Sequence, residues 1–537
     1  MPRFSCFDLF ASVPQNAECF LVPSNDEYFN EFCPDYSNRL KFVTGFSGSN
    51  GIALLNKSGK HVFFTDGRYL LQAAQELDAS FVVKNLSEYS DYIKQIGATH
   101  AIAIDPKLHF HHEIEAFIQS GVKFEFCHIN PIDLIWTNRP IKPKSDITDF
   151  NLAGESSDAK CKKLMEFAKS KGCTSVFLTN TLDVSWFLNI RNLSNENALS
   201  VNKLAIISDE NSVLFEAENL EINIKAAIKS KILLPHKTAS YYTINQLKIF
   251  GYEVIFDTEN WIAKQKNLKT ASEIDAIKNA CIIDSKTISE FLNFAKISKG
   301  ETEFSLGEKL FHMRQKNTGF ASSSFDVICG FQENGAIIHY HATKQNAKTI
   351  TGDGLLLVDS GGQYYDQEQK ICGTTDVTRT VFIGEIPKEE WKIYYTAVLK
   401  GHISLATAVF PVGTTGAQLD TMARQFLWQI GADYAHGTGH GIGYFLSVHE
   451  GPIGISKSAT TQLAEGMVIS NEPGFYKQGE FGIRLENMML VTKHSDGFLC
   501  FEVLTKIPFE PVLINFSDLT DREIEWLSEY HINCKGL

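Results

Sequence analysis

The stretch GLLLVDSGGQYYDQEQKICGTTDVTRT (354–380) decides how the chain is to be read. Four apolar residues, Leu355–Val358, run between Gly354 and the pair Gly361–Gly362. That is the pattern of a buried strand, and it ends on Asp359. DVTRTVFIG (376–384) reads as a second strand, opening on Asp376. An aspartate after an apolar strand is ordinarily a turn-former or a helix cap. The pair gains another meaning only if further ligand-type residues join it.

Downstream, they do. HGTGHGIG (436–443) sets His436 and His440 in a glycine-rich turn, ISNEPG (469–474) ends a strand on Glu472, and GIRLEN (482–487) places Glu486 within a strand. Leu485 and Glu486 must point to opposite faces of that strand. A buried Glu486 would then need a partner or a metal. Four carboxylates and one imidazole suit hard or borderline divalent cations. Without metal, four such charges repel and raise one another's pKa values. Two divalent ions, ~3.5–4 Å apart, would balance them and can activate a water. No cysteine belongs to the set, which disfavours a thiolate zinc site.

Around this constellation the pattern is mixed. SEIDAIKNACIIDSKTISEFL (272–292) has helical spacing, with Ser272 as the expected N-cap. FDVICG (325–330) and AIIHYHA (336–342) read as strands, and 389–409 and 416–431 as helices. Further upstream, ECFLVP (18–23), GIALLN (51–56) and HVFFTD (61–66) read as strands, and RYLLQAAQEL (68–77) as a helix. A similar order recurs from Ser175 to Glu216; Phe20 and Phe177 are 157 residues apart, and so are Asp26 and Asp183. Two copies of one strand–helix–strand–strand unit account for this. TNRPIKPKSDI (137–147), with two prolines, reads as the linker between them. The fold class is therefore α/β (α+β), with domains expected at 1–150, 151–267 and 268–537. GFSGSNG (45–51) lacks the Lys–Ser/Thr of a phosphate loop and reads as a tight turn between strands.

Composition narrows the function. Of 537 residues, 50 are Lys or Arg and 63 Asp or Glu, a formal charge of −13. That balance argues against a nucleic-acid binder working by phosphate neutralisation. No apolar run is long enough to span a membrane. The N-terminus makes a poor signal peptide. The 11 cysteines are scattered without a CxxC, as free thiols of a reducing compartment would be.

The segments GAIIHY, VDSGGQY, GTTDVTRT, HGTGHGIG, VHEGP, NEPGFY and FGIRLEN, in that order, resemble the aminopeptidase P (Xaa-Pro aminopeptidase) family. FVTGFSGSNG, FFTDGRYLLQAAQEL, IDLIWTNRP and LTDREIEWLSEYH extend the resemblance over nearly the whole chain, to the long, three-domain cytosolic type. It implies two creatinase-like N-terminal domains and a catalytic domain of the pita-bread (creatinase/methionine aminopeptidase) fold. It implies two divalent metal ions, manganese being the family's usual choice and zinc or cobalt the alternatives. Asp359, Asp376 and Glu486 would hold one ion; Asp376, His440, Glu472 and Glu486 the other. His339, His436 and His449 would line the cleft, bond the scissile carbonyl and shuttle protons, with Glu472 as proton carrier. His341 has no family counterpart. Arg484, on the same strand face as Glu486, would be a charge partner of the ligands.

The implied activity is removal of the first residue from peptides whose second residue is proline, in the cytoplasm, with neither nucleic acid nor membrane as partner. Relatives often pair through the catalytic domain, which implies a homodimer. Prolidase shares the five ligands but has one N-terminal domain and takes dipeptides. Creatinase shares the fold without the ligands, and non-catalytic pita-bread modules tend to lose them. One departure stands out: Asp359 and Asp376 are separated by a longer hairpin than the family pattern. Around Gln367–Cys372 it reads as a solvent-exposed extension, with Asp359 rather than Asp366 as the ligand.

Overall fold

The apolar runs of the N-terminal half become two sheets of one design. The computed structural model describes residues 5–195, 197–226 and 231–536. In the first sheet the strands lie in the order Phe81–Asn85, His61–Thr65, Ile52–Asn56, Ala17–Pro23, Ala101–Ile104, Phe124–Phe126. In the second the order is Ser212–Phe215, Leu204–Ser208, Ser175–Leu178, Lys231–Pro235, Glu253–Asp257. Each sheet has its first strand inside, antiparallel to the next strand of its own copy and parallel to a later one. Phe20 and Phe177 occupy those inner strands, 1% and 0% exposed. Among the described residues the second sheet has no counterpart of Phe81–Asn85. These sheets belong to one compact unit, made of Met1–Ile147, Ser156–Ile190 and Val201–Ile262.

One local expectation changes here. GFSGSNG follows a helix, Arg39–Thr44, rather than a strand: Gly45 takes a φ of +77° and closes that helix, as glycine does at such ends. TDGRY is a strand-to-helix turn in which Arg68 bonds Asp66 at 2.8 Å.

The other unit comprises Thr148–Glu155, Arg191–Ser200 and Ala263–Leu537. Its first long helix runs from Ala271 to Ile297, and its cap is Thr270, not Ser272. The reason lies in the spacing. Thr270 and Glu273 form a capping box, the Glu273 amide donating to Thr270 Oγ1 (3.3 Å) and the Thr270 amide to Glu273 Oε2 (2.9 Å). AIIHYHA is not a strand. Buried Glu303 accepts from the Phe331 amide, Asn334, Tyr340 Oη and the Lys348 amide, which holds a short 3-10 helix, Gln332–Ala336, and the turns and coil after it up to 348. From the preceding stretch, Ile328–Phe331 pairs with Gly354–Ser360.

Strand Gly354–Ser360 lies between Ile328–Phe331 and Val377–Ile383. Leu356 and Val358 pack on Ile288, Phe291 and Leu292 of the long helix. Leu355 and Phe382 pack on Trp391, Tyr395 and Val398 of helix Glu389–Ala406. Each such side chain contributes roughly 1.5–3 kcal/mol by burial. A four-stranded sheet, Val409–Pro411, Phe498–Val503, Asn487–Ser495 and Val468–Asn471, completes the scaffold.

The long hairpin keeps one register throughout. Gly354 faces Ile383, Asp359 faces Thr378, Gln363 faces Thr374 and Asp366 faces Ile371. The added residues therefore lengthen both arms equally and flip neither face. Between the arms' two ladders, Gly361 passes so close to Thr375 that a Cβ would lie 1.9 Å from its carbonyl oxygen. The turn itself, Gln367–Lys370, is exposed, but Ile371 and Cys372 are 3% and 0% exposed. The exposed extension is thus shorter than Gln367–Cys372. Among the described residues no helix is long and apolar enough to cross a membrane. All 11 cysteines are free thiols.

Candidate metal centre

Strand ends bring the acidic residues together. Asp359 comes from the end of Gly354–Ser360, and Asp376 from the residue before Val377–Ile383. Glu472 follows strand Val468–Asn471, and Glu486 sits between strands Phe481–Arg484 and Asn487–Ser495 rather than inside one. His440 lies on the short strand Gly439–His440. The Glu486 amide donates to the Thr378 carbonyl (3.0 Å), and the Glu472 amide to that of Thr438 (2.8 Å). Gly439 is required by the same packing: a Cβ there would lie 2.0 Å from the Ser470 carbonyl oxygen.

Asp376, His440 and Glu486 each offer a ligand atom within 4.8 Å of the others. His440 Nε2 is 3.3 Å from Asp376 Oδ2 and 3.3 Å from Glu472 Oε1. Arg484 Nη2 donates to Asp359 Oδ2 at 2.6 Å, and Arg484 Nε to Thr378 Oγ1 at 3.1 Å. Thr378 Oγ1 in turn donates to Glu486 Oε2 (2.8 Å). Asp366 lies elsewhere; its carboxylate accepts from the Gln369 amide in the hairpin turn.

The charges do not balance. Asp359, Asp376 and Glu486 are 8%, 4% and 2% exposed. Burial raises the Asp359 carboxyl, Asp376 adding repulsion and Arg484 opposing both. Burial also raises Glu472, with Asp376 and Asp359 adding to it. Glu486 is pushed furthest, by burial and then by Asp376, Glu472 and Asp359. Burial works against a charge on His440, yet Asp376 and Glu472 outweigh it and push the imidazole up to about 9. The Oδ1 atom of Asp359 is buried with no hydrogen-bond partner. A carboxylate-rich set with an orphaned oxygen and one imidazole is the donor chemistry of divalent cations.

The cleft histidines differ among themselves. His449 sets its ring across that of His440, centroids 4.3 Å apart. His436 Nδ1 lies 2.7 Å from the Gly437 carbonyl and 3.8 Å from Glu472 Oε2, and Nε2 lies 2.8 Å from Tyr476 Oη. Arg484 Nη1 donates to that same Tyr476 oxygen (2.7 Å). Tyr476 therefore gives its proton to Nε2, and His436 carries its own on Nδ1. His339 is half-buried beside Ile338, whose carbonyl accepts from Arg484 (3.4 Å). His341 is exposed, 3.9 Å from Asp326.

Tyr476 and Thr378 were not singled out in the sequence. Tyr476 had a signal. Gly474 stands opposite Arg484, and Tyr476 two residues on shares its face. A Cβ at 474 would lie 2.6 Å from Tyr476 Oη, so the glycine makes room for the hydroxyl.

Residues 275–493 match metallopeptidase family M24, and 497–536 its C-terminal region. Residues 15–134 and 138–303 each match a creatinase/prolidase N-terminal domain. A protein named "Probable Xaa-Pro aminopeptidase P" from Paracoccidioides brasiliensis (strain Pb03) is 33% identical, over 96% of this chain and 92% of its own. The chain belongs to the aminopeptidase P family. Xaa-Pro aminopeptidase 1 of Dictyostelium discoideum, at 32% identity, covers 96% of this aminopeptidase P chain and 90% of its own. The crystal structure of X-prolyl aminopeptidase from Caenorhabditis elegans, described as a cytosolic enzyme with a di-nuclear active site, superposes with a TM-score of 0.91. It is 27% identical and covers 99% of this chain and 96% of its own. A Xaa-Pro dipeptidase from Bacillus anthracis, also 27% identical, covers only 66% of this chain, with a TM-score of 0.52. Two creatinase N-terminal domains followed by a pita-bread domain thus separate this aminopeptidase P chain from the shorter dipeptidases.

Proposed function

We propose that the chain is a metal-dependent exopeptidase that hydrolyses the Xaa–Pro bond and releases the first residue of peptides with proline second. The observation that carries this reading is the surplus of buried carboxylate around Asp376, His440 and Glu486. Whole-length similarity to Xaa-Pro aminopeptidases supports it over a prolidase.

Asp359, Asp376, His440, Glu472 and Glu486 fit a pair of divalent ions, Asp376 and Glu486 lying between the two groups. Manganese is the first choice; zinc and cobalt suit the same donors. Such ions, when bound, would supply an activated water and polarise the scissile carbonyl. The protein's own groups do the rest. Glu472, its carboxyl raised by burial, is placed to accept a proton from the attacking water and carry it to the leaving proline nitrogen. Both ring nitrogens of His436 are engaged, which supports a role in holding Tyr476 at the edge of the cleft. His339 and His449 remain to bond the scissile carbonyl. The leaving nitrogen is a secondary amine without a peptide N–H, so the cleft must select the proline ring by shape. The substrate's α-ammonium group meets the carboxylate surplus, which restricts cleavage to chain ends.

The division at 1–150, 151–267 and 268–537, a homodimer and a cytoplasmic location belong to the same reading. Purified protein should contain divalent metal by elemental analysis and should cleave Xaa-Pro-Yaa between residues one and two. Xaa-Ala-Yaa should be cut poorly and N-acetylated peptides not at all. Hydrolysis of Xaa-Pro dipeptides alone would replace this reading with prolidase.

A further inference from the structure

Behind the two aspartates lies a buried ion pair that the proposed reaction does not use. Asp284, on helix Ala271–Ile297, and Arg314, the last residue of helix Glu303–Arg314, are 2% and 0% exposed. Arg314 Nε donates to Asp284 Oδ1 (2.8 Å) and Nη2 to Oδ2 (3.1 Å). The same carboxylate accepts from Tyr364 Oη at Oδ1 (2.8 Å) and from Thr375 Oγ1 at Oδ2 (2.6 Å). Arg314 Nη2 also donates to Ser360 Oγ (3.1 Å).

Ser360 follows Asp359, and Thr375 precedes Asp376. In strand Gly354–Ser360, Asp359 and Ser360 point to opposite faces. The pair therefore holds the hairpin from the side away from the carboxylate cluster. It does so where the ladder of the hairpin is interrupted. The paired ladder stops at Ser360 opposite Val377 and resumes at Gln363 opposite Thr374. Across that gap the Thr375 amide donates to the Gly362 carbonyl (2.8 Å), and the Gly362 amide to Thr375 Oγ1 (2.9 Å). One hydroxyl thus joins both arms of the hairpin to the buried carboxylate. Stability alone is a poor reason for the pair, since apolar side chains of similar volume often serve a core as well or better.

We propose that Asp284 and Arg314 are positioning residues for the metal centre. By gripping Thr375 and Ser360, they set the spacing of Asp359 and Asp376. The proposal rests on reading those aspartates as ligands, and the experiment separates the two. Full-length protein is stripped of metal and titrated with Mn²⁺ by calorimetry, while unfolding of the metal-free form is followed by heating. Thr375→Val should raise the dissociation constant about 10–100-fold, as loss of outer partners of metal ligands does. Thr375→Ser, which keeps the hydroxyl, should restore it. Tyr364→Phe removes a hydrogen bond from the same carboxylate but leaves both grips in place. It should lower the metal-free unfolding temperature and leave the Mn²⁺ affinity unchanged. Wild-type affinity in Thr375→Val would overturn the proposal, and so would equal weakening in Tyr364→Phe. Wild-type protein that binds no divalent ion would overturn the ligand reading itself, and the positioning role with it.

Discussion

One hairpin carries two buried acidic centres, one on each side, and they are built differently. Behind it, Asp284 is a single carboxylate against a single guanidinium, and its four hydrogen bonds come from Arg314, Tyr364 and Thr375. In front, the four carboxylates Asp359, Asp376, Glu472 and Glu486 share the Arg484 guanidinium and the His440 imidazole. One oxygen of Asp359 is left without a hydrogen bond. Behind, both partners are buried; in front, Glu472 and His440 are partly exposed, and the charges do not balance. A charge-balanced ion pair positions its neighbours even with Arg314 Nη1 left unbonded, while an open surplus of carboxylate is finished by cations from outside. The metal centre is distinguished by that surplus, not by the number of acidic residues nearby.

The sharpest way to break this contrast is to remove charge from the front. Glu486→Gln keeps the shape and the hydrogen bond from Thr378 but loses a charge that both ions would share. It should cost at least about 10²-fold in kcat/KM, more than loss of an outer partner, and lower metal content by elemental analysis. Full activity in metal-free Glu486→Gln protein would end the dinuclear reading. Chelation of the wild type should abolish turnover, and Mn²⁺ should restore it. Arg484→Met comes next. It takes the cation from Asp359 and the proton donor from Tyr476, and should weaken Mn²⁺ binding about 10–100-fold. An unchanged affinity would mean that Arg484 serves packing alone.

The pH dependence of the metal-free protein tests the surplus without any mutation. Burial and mutual repulsion raise the Asp359, Glu472 and Glu486 carboxyls, so the folded state binds more protons than the unfolded one. Stability then falls as pH rises above the ordinary carboxylate values. His440 adds to this with the same sign. Its stabilising charge is fully present below 6.5 and is lost as pH rises through about 9. The metal-free unfolding temperature should therefore drop between pH about 6 and about 9. The increment from added Mn²⁺ should grow over the same range, because binding displaces those protons. Scanning calorimetry of both forms reads this directly, and a metal-free midpoint that rises with pH would contradict the surplus.

How much of this was legible in the sequence depended on how far each residue's partners lie along the chain. Asp359 and Asp376 showed because they interrupt apolar strands, and Glu486 because a lone carboxylate in an apolar setting demands an explanation. The twin sheets showed because Phe20 and Phe177 recur at a constant offset within similar apolar runs. Asp284 did not show. On a helix it looks like any polar residue, and its partner Thr375 is 91 residues away. AIIHYHA was misread because its apolar letters suit a strand, while the Glu303 carboxylate that holds it as coil is remote in sequence. The cap at Thr270 was missed by two residues, although Glu273 three places on marks it.

The smallest expected effect concerns the tip of the same hairpin, and it refines where the insertion can be trimmed. Deleting Gln367–Cys372 would remove Ile371 and Cys372, which are buried. Cys372 packs with Phe150, Ile277 and Tyr444, so that deletion should destabilise the unit. The expendable part is the exposed turn, Gln367–Lys370, which joins the facing residues Asp366 and Ile371. Lys370 sits there at a φ of +52°, a conformation that asparagine and glycine adopt more readily. Replacing the four residues by Asn-Gly gives a two-residue turn between the same facing pair, whose twist suits a hairpin. The register then stays as it is, and Asp359 still faces Thr378. Halving so short a loop changes closure entropy by only about 0.6 kcal/mol. Metal content and turnover should match the wild type, and the unfolding midpoint should shift by a few degrees at most. Loss of metal in this variant, with the protein still folded, would mean that the tip and not the ladder keeps the two aspartates in register.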